Sequence, residues 1–398
     1  MWRFRCYVPN LRFRGYCNPW SLETFSSCFE YLSNNALSRE SLNYFGGSMK
    51  NIHYGDILIN LPTVVSFSDH RIPFINEKIS VRHDILKQGD IVIADTAEDY
   101  EVGKALEILS EDGLKAVAGL HTIPCRPKVT FAQGYLAYYL GSPAHKRRLL
   151  PLIQGIKVYG ISKRALSDLP IFFPTIEEQK KISDLFITID RKIEAQNKII
   201  EKYESLIKQL NNDLFSRDIN CKIGDFIQEC SKRNKNGAFV NVLSVSNKNG
   251  FVKQSEQFED KELASEDKTN YKIVQKGDFA FNPARINVGS IALLKNQETG
   301  IVSPMYICFK AKNLPNEVLE FYFLSSSFKK EMNKRLEGSV RMCLTIDGMK
   351  NIRFHKPDEK EVNLLNHLTK LKDFVSTNRK ILDLYNSQKK YLLSNLFI

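Results

Sequence analysis

The stretch EEQKKISDLFITIDRKIEAQNKIIEKYESLIKQLNNDLF, residues 177–215, contains neither Gly nor Pro. With Phe186 at heptad position a, Ile193, Ile200, Ile207 and Leu214 also fall at a, and Ile189, Gln196, Tyr203 and Leu210 fall at d. The seam is apolar except for Gln196, and the flanks carry Lys, Glu, Asn and Ser. A sustained 3.5-residue repeat with polar flanks predicts a coiled-coil helix. At about 1.5 Å per residue it is roughly 60 Å long. Pro174-Thr175 marks its start, with Thr175 as candidate N-cap and Glu177 and Glu178 in the first turn.

The segment KEVNLLNHLTKLKDFVSTNRKILDLYNSQKKYLLSNLFI, residues 360–398, reads as a second copy. Position a holds Leu368, Val375, Leu382, Lys389 and Leu396; position d holds Leu371, Asn378, Tyr385 and Leu392. Asn378 sits at the heptad step of Gln196, and Tyr385 at that of Tyr203. Both segments close on Asp/Asn-Leu-Phe, at residues 213–215 and 395–397. Lys389 is the one clear break. Each helix could zip to another chain; the matching polar steps favour the two pairing with each other. An antiparallel pair would bring Ile200 to Leu382, Gln196 to Tyr385 and Asn378 to Tyr203.

The repeat extends upstream. KQGDIVIADTAEDYEVGKAL (87–106) matches VQKGDFAFNPARINVGSIAL (274–293): a Gly-Asp turn, a short apolar strand, a polar loop, then Gly and another strand. GIKVYGISKRALSDLPIFFP (155–174) matches GSVRMCLTIDGMKNIRFHKP (338–357), and a helix-like run precedes each. The chain therefore reads as a tandem duplication. The expected fold is α+β, with two globular domains of short strands and small helices separated by two long helices in an antiparallel coiled coil. The expected boundaries are 1–174, 175–216, 217–357 and 358–398.

The 398 residues carry 57 Lys and Arg against 45 Asp and Glu, a net charge of +12, which favours an anionic partner such as nucleic acid or a membrane surface. No apolar run reaches the roughly 18 residues of a membrane span, and the start MWRFRCYVPN lacks a signal-peptide apolar region, so a cytoplasmic location is expected. The eight cysteines form no CxxC and no zinc-ligand spacing, and read as free thiols.

Catalytic signatures are missing. Asn282-Pro283-Ala284-Arg285 falls short of the Asn/Asp-Pro-Pro-aromatic loop with which adenine methyltransferases grip a flipped base, and reads instead as a DNA-facing turn. There is no phosphate-binding GxxxxGK[ST] loop. The acidic run Asp95, Glu98, Asp99, Glu101 reads as a solvated loop, and the histidines are dispersed. No catalytic residue and no metal ligand is expected. The candidate DNA contacts are polar and basic positions in equivalent loops: Lys157, Tyr159, Lys163 and Arg164 in the first copy, and Asn282, Arg285, Asn287, Arg341 and Lys350 in the second, with Ser162 and Ser339 beside them. Each has the alternative of being an ordinary surface side chain. The run His145-Lys146-Arg147-Arg148 is either a solvated helix face or a phosphate clamp.

Together these features resemble the specificity (S) subunit of Type I restriction–modification systems, over essentially the whole chain. The residues carrying the resemblance are PTIEEQKKISDLFITIDRKI leading into KQLNNDLF, its repetition at residues 357–397, and the opening VPNLRFRGYCNPWSLETF with Pro9, Leu11-Arg12-Phe13 and Trp20. The resemblance implies two target-recognition domains, each reading one half of a bipartite site on double-stranded DNA. It implies a helical spacer on which two methyltransferase subunits dock, with restriction subunits as an optional further partner. It implies no catalytic centre and no cofactor on this chain: S-adenosylmethionine, ATP and Mg belong to the partner subunits. In the second copy the Glu-Gln of TIEEQKK becomes Glu361-Val362, which questions whether both helix starts meet their partners identically. The alternative is a stand-alone coiled-coil interaction scaffold without DNA specificity.

Overall fold

A computed structural model describes residues 7–398 apart from positions 78, 80, 81, 218, 248, 255–266, 339 and 340. The chain is α+β and divides into two compact units: residues 1–197 with 380–398, and residues 198–379. The division cuts both long helices, Ile176–Phe215 and Glu359–Asn395, so that each unit takes a part of each.

In the first unit the central sheet runs Phe29–Tyr31, Thr122–Pro127, Ile91–Ala94, Ala105–Ser110, Val64–Ser66, antiparallel except for the last pair. Ile91–Ala94 is buried throughout, as an unbroken apolar run requires. A second sheet contains the parallel pair Lys50–Ile52 and Ala116–Ala118. Ser21–Thr24 pairs with Pro170–Phe173, the strand that leads into the first long helix.

The second unit repeats this plan. Ile227–Glu229, Ile307–Ala311, Asp278–Phe281 and Ile291–Leu293 form an antiparallel sheet. Val242–Ser246 runs parallel to Thr299–Val302, and Cys221–Lys222 pairs with Arg353–Phe354 ahead of the second long helix. The Gly-Asp turns sit at the same place in both units. Gly89 (φ 84°) and Gly277 (φ 93°) take the left-handed conformation that glycine tolerates. Asp90 accepts from Lys87 N at 2.7 Å and Asp278 from Gln275 N at 2.8 Å. Arg126 forks onto Asp90, and Lys310 lies opposite Asp278 in the ladder. The motif is thus a turn lock.

Within each unit the helix segments run antiparallel. In the first, Phe186 stacks on Phe397 at 5.8 Å, Asp190 pairs with Lys389 at 2.5 Å, and Lys192 lies over the Tyr385 ring at 5.7 Å. In the second, Tyr203 meets Phe374 at 5.0 Å, Glu204 pairs with Arg379, and Arg217 pairs with Glu361. Lys389, which breaks the apolar seam, is neutralised by Asp190, and Asp190 also accepts from Tyr138 Oη at 2.8 Å. The segment ends close the cores. Leu396 and Phe397 are buried among Trp20, Tyr135, Tyr139 and Phe186, and Leu214 and Phe215 are buried beside Tyr322.

The helix starts also explain the Glu-Gln difference. Glu178, 1% exposed, takes a two-point bond from Arg12 at 2.8 and 2.7 Å. Gln179 accepts from Ala132 N and donates to Pro174 O. In the second unit Glu361 and Asp358 form a reciprocal capping box at 2.8 and 3.0 Å, and Glu361 also holds Arg217 and His355. Glu178 and Gln179 are spent inside the unit, so replacing Gln by Val362 changes an internal brace.

Candidate nucleic-acid interface

In the first unit, Phe29–Tyr31 and Ile91–Ala94 both run antiparallel to the strand between them. Their following loops, 32–38 and 95–104, therefore leave the same end of the sheet. A third loop joins them. Gln154 and Gly160 exchange backbone bonds at 3.0 and 2.8 Å, closing a tight loop in which Gly155 has φ 120° and a Cβ would lie 1.9 Å from Val158 O. Tyr159–Gly160 pairs with Thr96–Ala97, and Ile161 N donates to Asp95 O at 2.9 Å.

The second unit builds the same end. Loops 230–241 and 282–290 follow two strands antiparallel to Ile307–Ala311. Glu337 and Cys343 exchange backbone bonds at 2.9 and 2.8 Å around Gly338 (φ 119°), and Leu344 N donates to Pro283 O at 3.1 Å. The two loop families singled out in the sequence are thus neighbours in each unit. Ser162 and Thr345 then cap matching short helices, Lys163–Ser167 and Ile346–Lys350.

The candidate residues divide. Lys157, Arg164, Arg285, Asn287 and Arg341 are exposed at these loops or the helix after them. Tyr159 packs against the exposed Tyr100, ring centroids 4.7 Å apart. Asn282 does not face outward. It is 9% exposed, its Oδ1 accepts from Ala284 N at 3.1 Å, and its Nδ2 lies 3.6 Å from Met305 Sδ. It folds the 282–290 turn and offers no open edge to a base. Lys163, although exposed, reaches Leu32 O at 3.3 Å and sits over the Tyr31 ring, tethering its helix to the sheet. Lys350 is half-buried, against Gly224 and 3.9 Å from Asp347. Ser339 lies outside the described residues.

The 145–148 run is neither a clamp nor a solvated face. His145 is fully enclosed against Tyr139, and burial pushes its pKa down to about 3. Lys146 bonds Glu101 at 2.9 Å, and Arg148 lies over Phe172 and donates to Ile398 O at 2.7 Å. Only Arg147 is exposed. Ser325, the matching helix cap of the second unit, is followed by Phe328 where the first unit has His145. Charge counting overstates the cations available to a partner, since Arg12, Arg39, Arg71 and Arg126 each fork onto a carboxylate. Sequence reading missed Tyr100 and the basic run Lys232-Arg233-Asn234-Lys235. For the basic run the available signal was a cation-rich turn just after a short strand, Ile227–Glu229.

No group of His, Cys, Asp and Glu suited to a metal occurs among the described residues, and the seven described cysteines are free thiols. Among the described residues no helix is long and apolar enough to cross a membrane.

Residues 74–205 match the family model described as Type I restriction modification DNA specificity domain. The S subunit of a Type I restriction–modification system from M. genitalium superposes with a TM-score of 0.63 at 14% identity, covering 98% of this chain and 99% of that one. A structure described under complex assembly and conformational transition of the type I R-M system gives 0.52 at 12% identity, covering 94% and 96%. A comparison with curated proteins finds no match. The family-model match spans about a third of the chain, at residues 74–205, and over nearly its whole length the chain shares the fold of the S subunit from M. genitalium.

Proposed function

We propose that this chain is the DNA-specificity subunit of a Type I restriction–modification assembly serving host defence, each unit reading one half of a bipartite site. The observation that carries the reading is the loop-bearing sheet end, built twice on one plan and furnished with unlike side chains: Lys157, Tyr159 and Tyr100 in one unit, Arg341, Arg285 and Asn287 in the other. One scaffold with different polar edges suits two readers of different half-sites. The long helices serve as spacer and as the docking surface for two methyltransferase subunits. The chain itself is non-catalytic and works in the cytoplasm. Methyl transfer from S-adenosylmethionine and ATP-driven, Mg-dependent cleavage belong to partner subunits.

The test is binding of the full chain to duplex DNA across a salt series. Steep loss of affinity with salt is expected, since each neutralised phosphate contributes about 0.9 to the slope of log K against log salt. Absence of DNA binding at low salt, alone and with methyltransferase subunits, would leave only the interaction scaffold.

A further inference from the structure

The second unit carries a basic loop that the first lacks, although both build the loop on the same frame. In loop 231–240, Lys232, Arg233 and Lys235 are exposed around Asn234, which is 2% exposed. The Asn234 amide donates to Phe239 O at 2.8 Å and Lys268 O at 3.3 Å, and accepts from Phe239 N at 3.1 Å. Its backbone N donates to Tyr271 O, and Gly237, at φ 62°, closes the turn onto Asn234 O. Arg233 is steadied by Asn270 at 3.0 Å. The loop frames a concavity of about 600 Å³ whose described lining includes these three cations and no carboxylate. It leaves the sheet at the same end as loop 282–290.

In the first unit Asn35, 4% exposed, plays the part of Asn234. It donates to Ala118 O at 2.8 Å and Asn51 Oδ1 at 3.1 Å, and accepts from Leu37 N at 3.0 Å. Residues 32–38 hold no Lys or Arg, and Ser33 is bonded through N and Oγ to Asp84. The fold therefore does not require the cations. They are an addition to one unit, fixed on a loop already ordered before any ligand arrives, which lowers the entropic cost of binding.

We propose that loop 231–240 is a clamp for the phosphodiester backbone of duplex DNA, giving the second unit a sequence-independent hold that the first unit does not have. This inference rests on the DNA-reading function proposed above. Three cations of one sign in a preformed concavity match the closely spaced phosphates of a duplex and carry no base information.

The experiment uses the full chain with Lys232→Ala/Lys235→Ala, which leaves Arg233 and its bond to Asn270 in place. Binding is measured to the recognised duplex and to unrelated duplexes over a salt series. The expected result is an affinity loss of similar factor on every duplex and a slope smaller by roughly 0.9 to 1.8, with the base preference unchanged. A reciprocal variant, Ala36→Lys on the exposed counterpart position, should steepen the slope by about 0.9. Unchanged affinity and slope in the double variant, with wild type binding normally, overturns the clamp and spares the function. A changed base preference at one half-site overturns it in favour of base reading. Wild type that binds no DNA overturns both.

Discussion

Replacing Phe397 with Ala should destabilise the first unit, although Phe397 lies more than 180 positions away from nearly everything else in that unit's core. The ring is 4% exposed and meets Phe186 at 5.8 Å, Tyr135 and Tyr139 at 6.0 Å and Trp20 at 6.4 Å. Truncating a buried Phe costs about 3–5 kcal/mol through lost transfer and cavity terms. The residue lies just beyond the helical turns ending at Asn395, where neighbours can partly collapse, so about 3 kcal/mol is the fitting magnitude. For a unit of this size that shifts Tm by roughly 6–12 °C. Trp20 is 3% exposed beside the lost ring and reports the transition. Thermal melts followed by tryptophan fluorescence, in a Trp2→Phe background, read the first unit alone. Phe215→Ala, which removes the matching ring against Tyr322 at 5.2 Å, should leave that transition where it was while lowering the second unit's. A Trp20 transition that Phe397→Ala leaves in place would refute the closure of the first core by residues 396–397. One moved equally by both variants would refute the division into units.

Other outcomes follow from particular contacts. Lys389→Met strips Asp190 of its cation in a site about four-fifths buried and should cost roughly 1–3 kcal/mol in a denaturant titration, whereas Asp190→Leu/Lys389→Leu combined with Tyr138→Phe, which removes the hydroxyl that Asp190 accepts from, should return to within about 1 kcal/mol of wild type. Glu107, enclosed beneath the start of helix Tyr135–Leu140, has its pKa raised by burial to about 7 despite bonds from Gly134 N and Ala137 N. The folded state therefore holds the proton more tightly, so Glu107 contributes stability that declines from pH 4.5 and is gone above about 7, an effect of about 3 kcal/mol. Glu107→Gln should remove that decline from the first unit's stability–pH curve. His145 has the opposite sign: with its folded pKa near 3 it costs stability as pH falls below about 6.5, and His145→Phe, the residue found at position 328, should flatten the acid limb. Arg341→Ala and Lys157→Ala should each weaken a different half-site, by about 1–3 kcal/mol where the side chain reads a base, as competition with half-site-mutated duplexes would show.

The long helices were legible because a 3.5-residue apolar repeat without Gly or Pro leaves little alternative, and the duplication was legible because turn residues recur at fixed places. Lys389 was not interpretable, since its partners Asp190 and Tyr138 are remote in sequence. The Glu178-Gln179 pair looked like a partner contact and is an internal brace, because its partners, Arg12 and Ala132, come from other elements. Asn282 looked like a base reader; its own turn consumes it. A histidine amid three basic residues suggested a charged face, and only the packing reveals that His145 takes an apolar site. Loop 231–240 went unremarked because the partners that fix Asn234 return only at residues 268–271. Local pattern carries helices and turns, while the availability of a polar side chain depends on contacts the pattern does not contain.

The most direct measurement is adenine-methylation mapping of DNA from cells carrying this chain with the methyltransferase subunits proposed as its partners, set against cells lacking only the chain. Two non-identical half-sites at a fixed gap, methylated only when the chain is present, are predicted. A single continuous motif, or methylation that persists without the chain, would contradict the assignment of two unlike readers to one polypeptide.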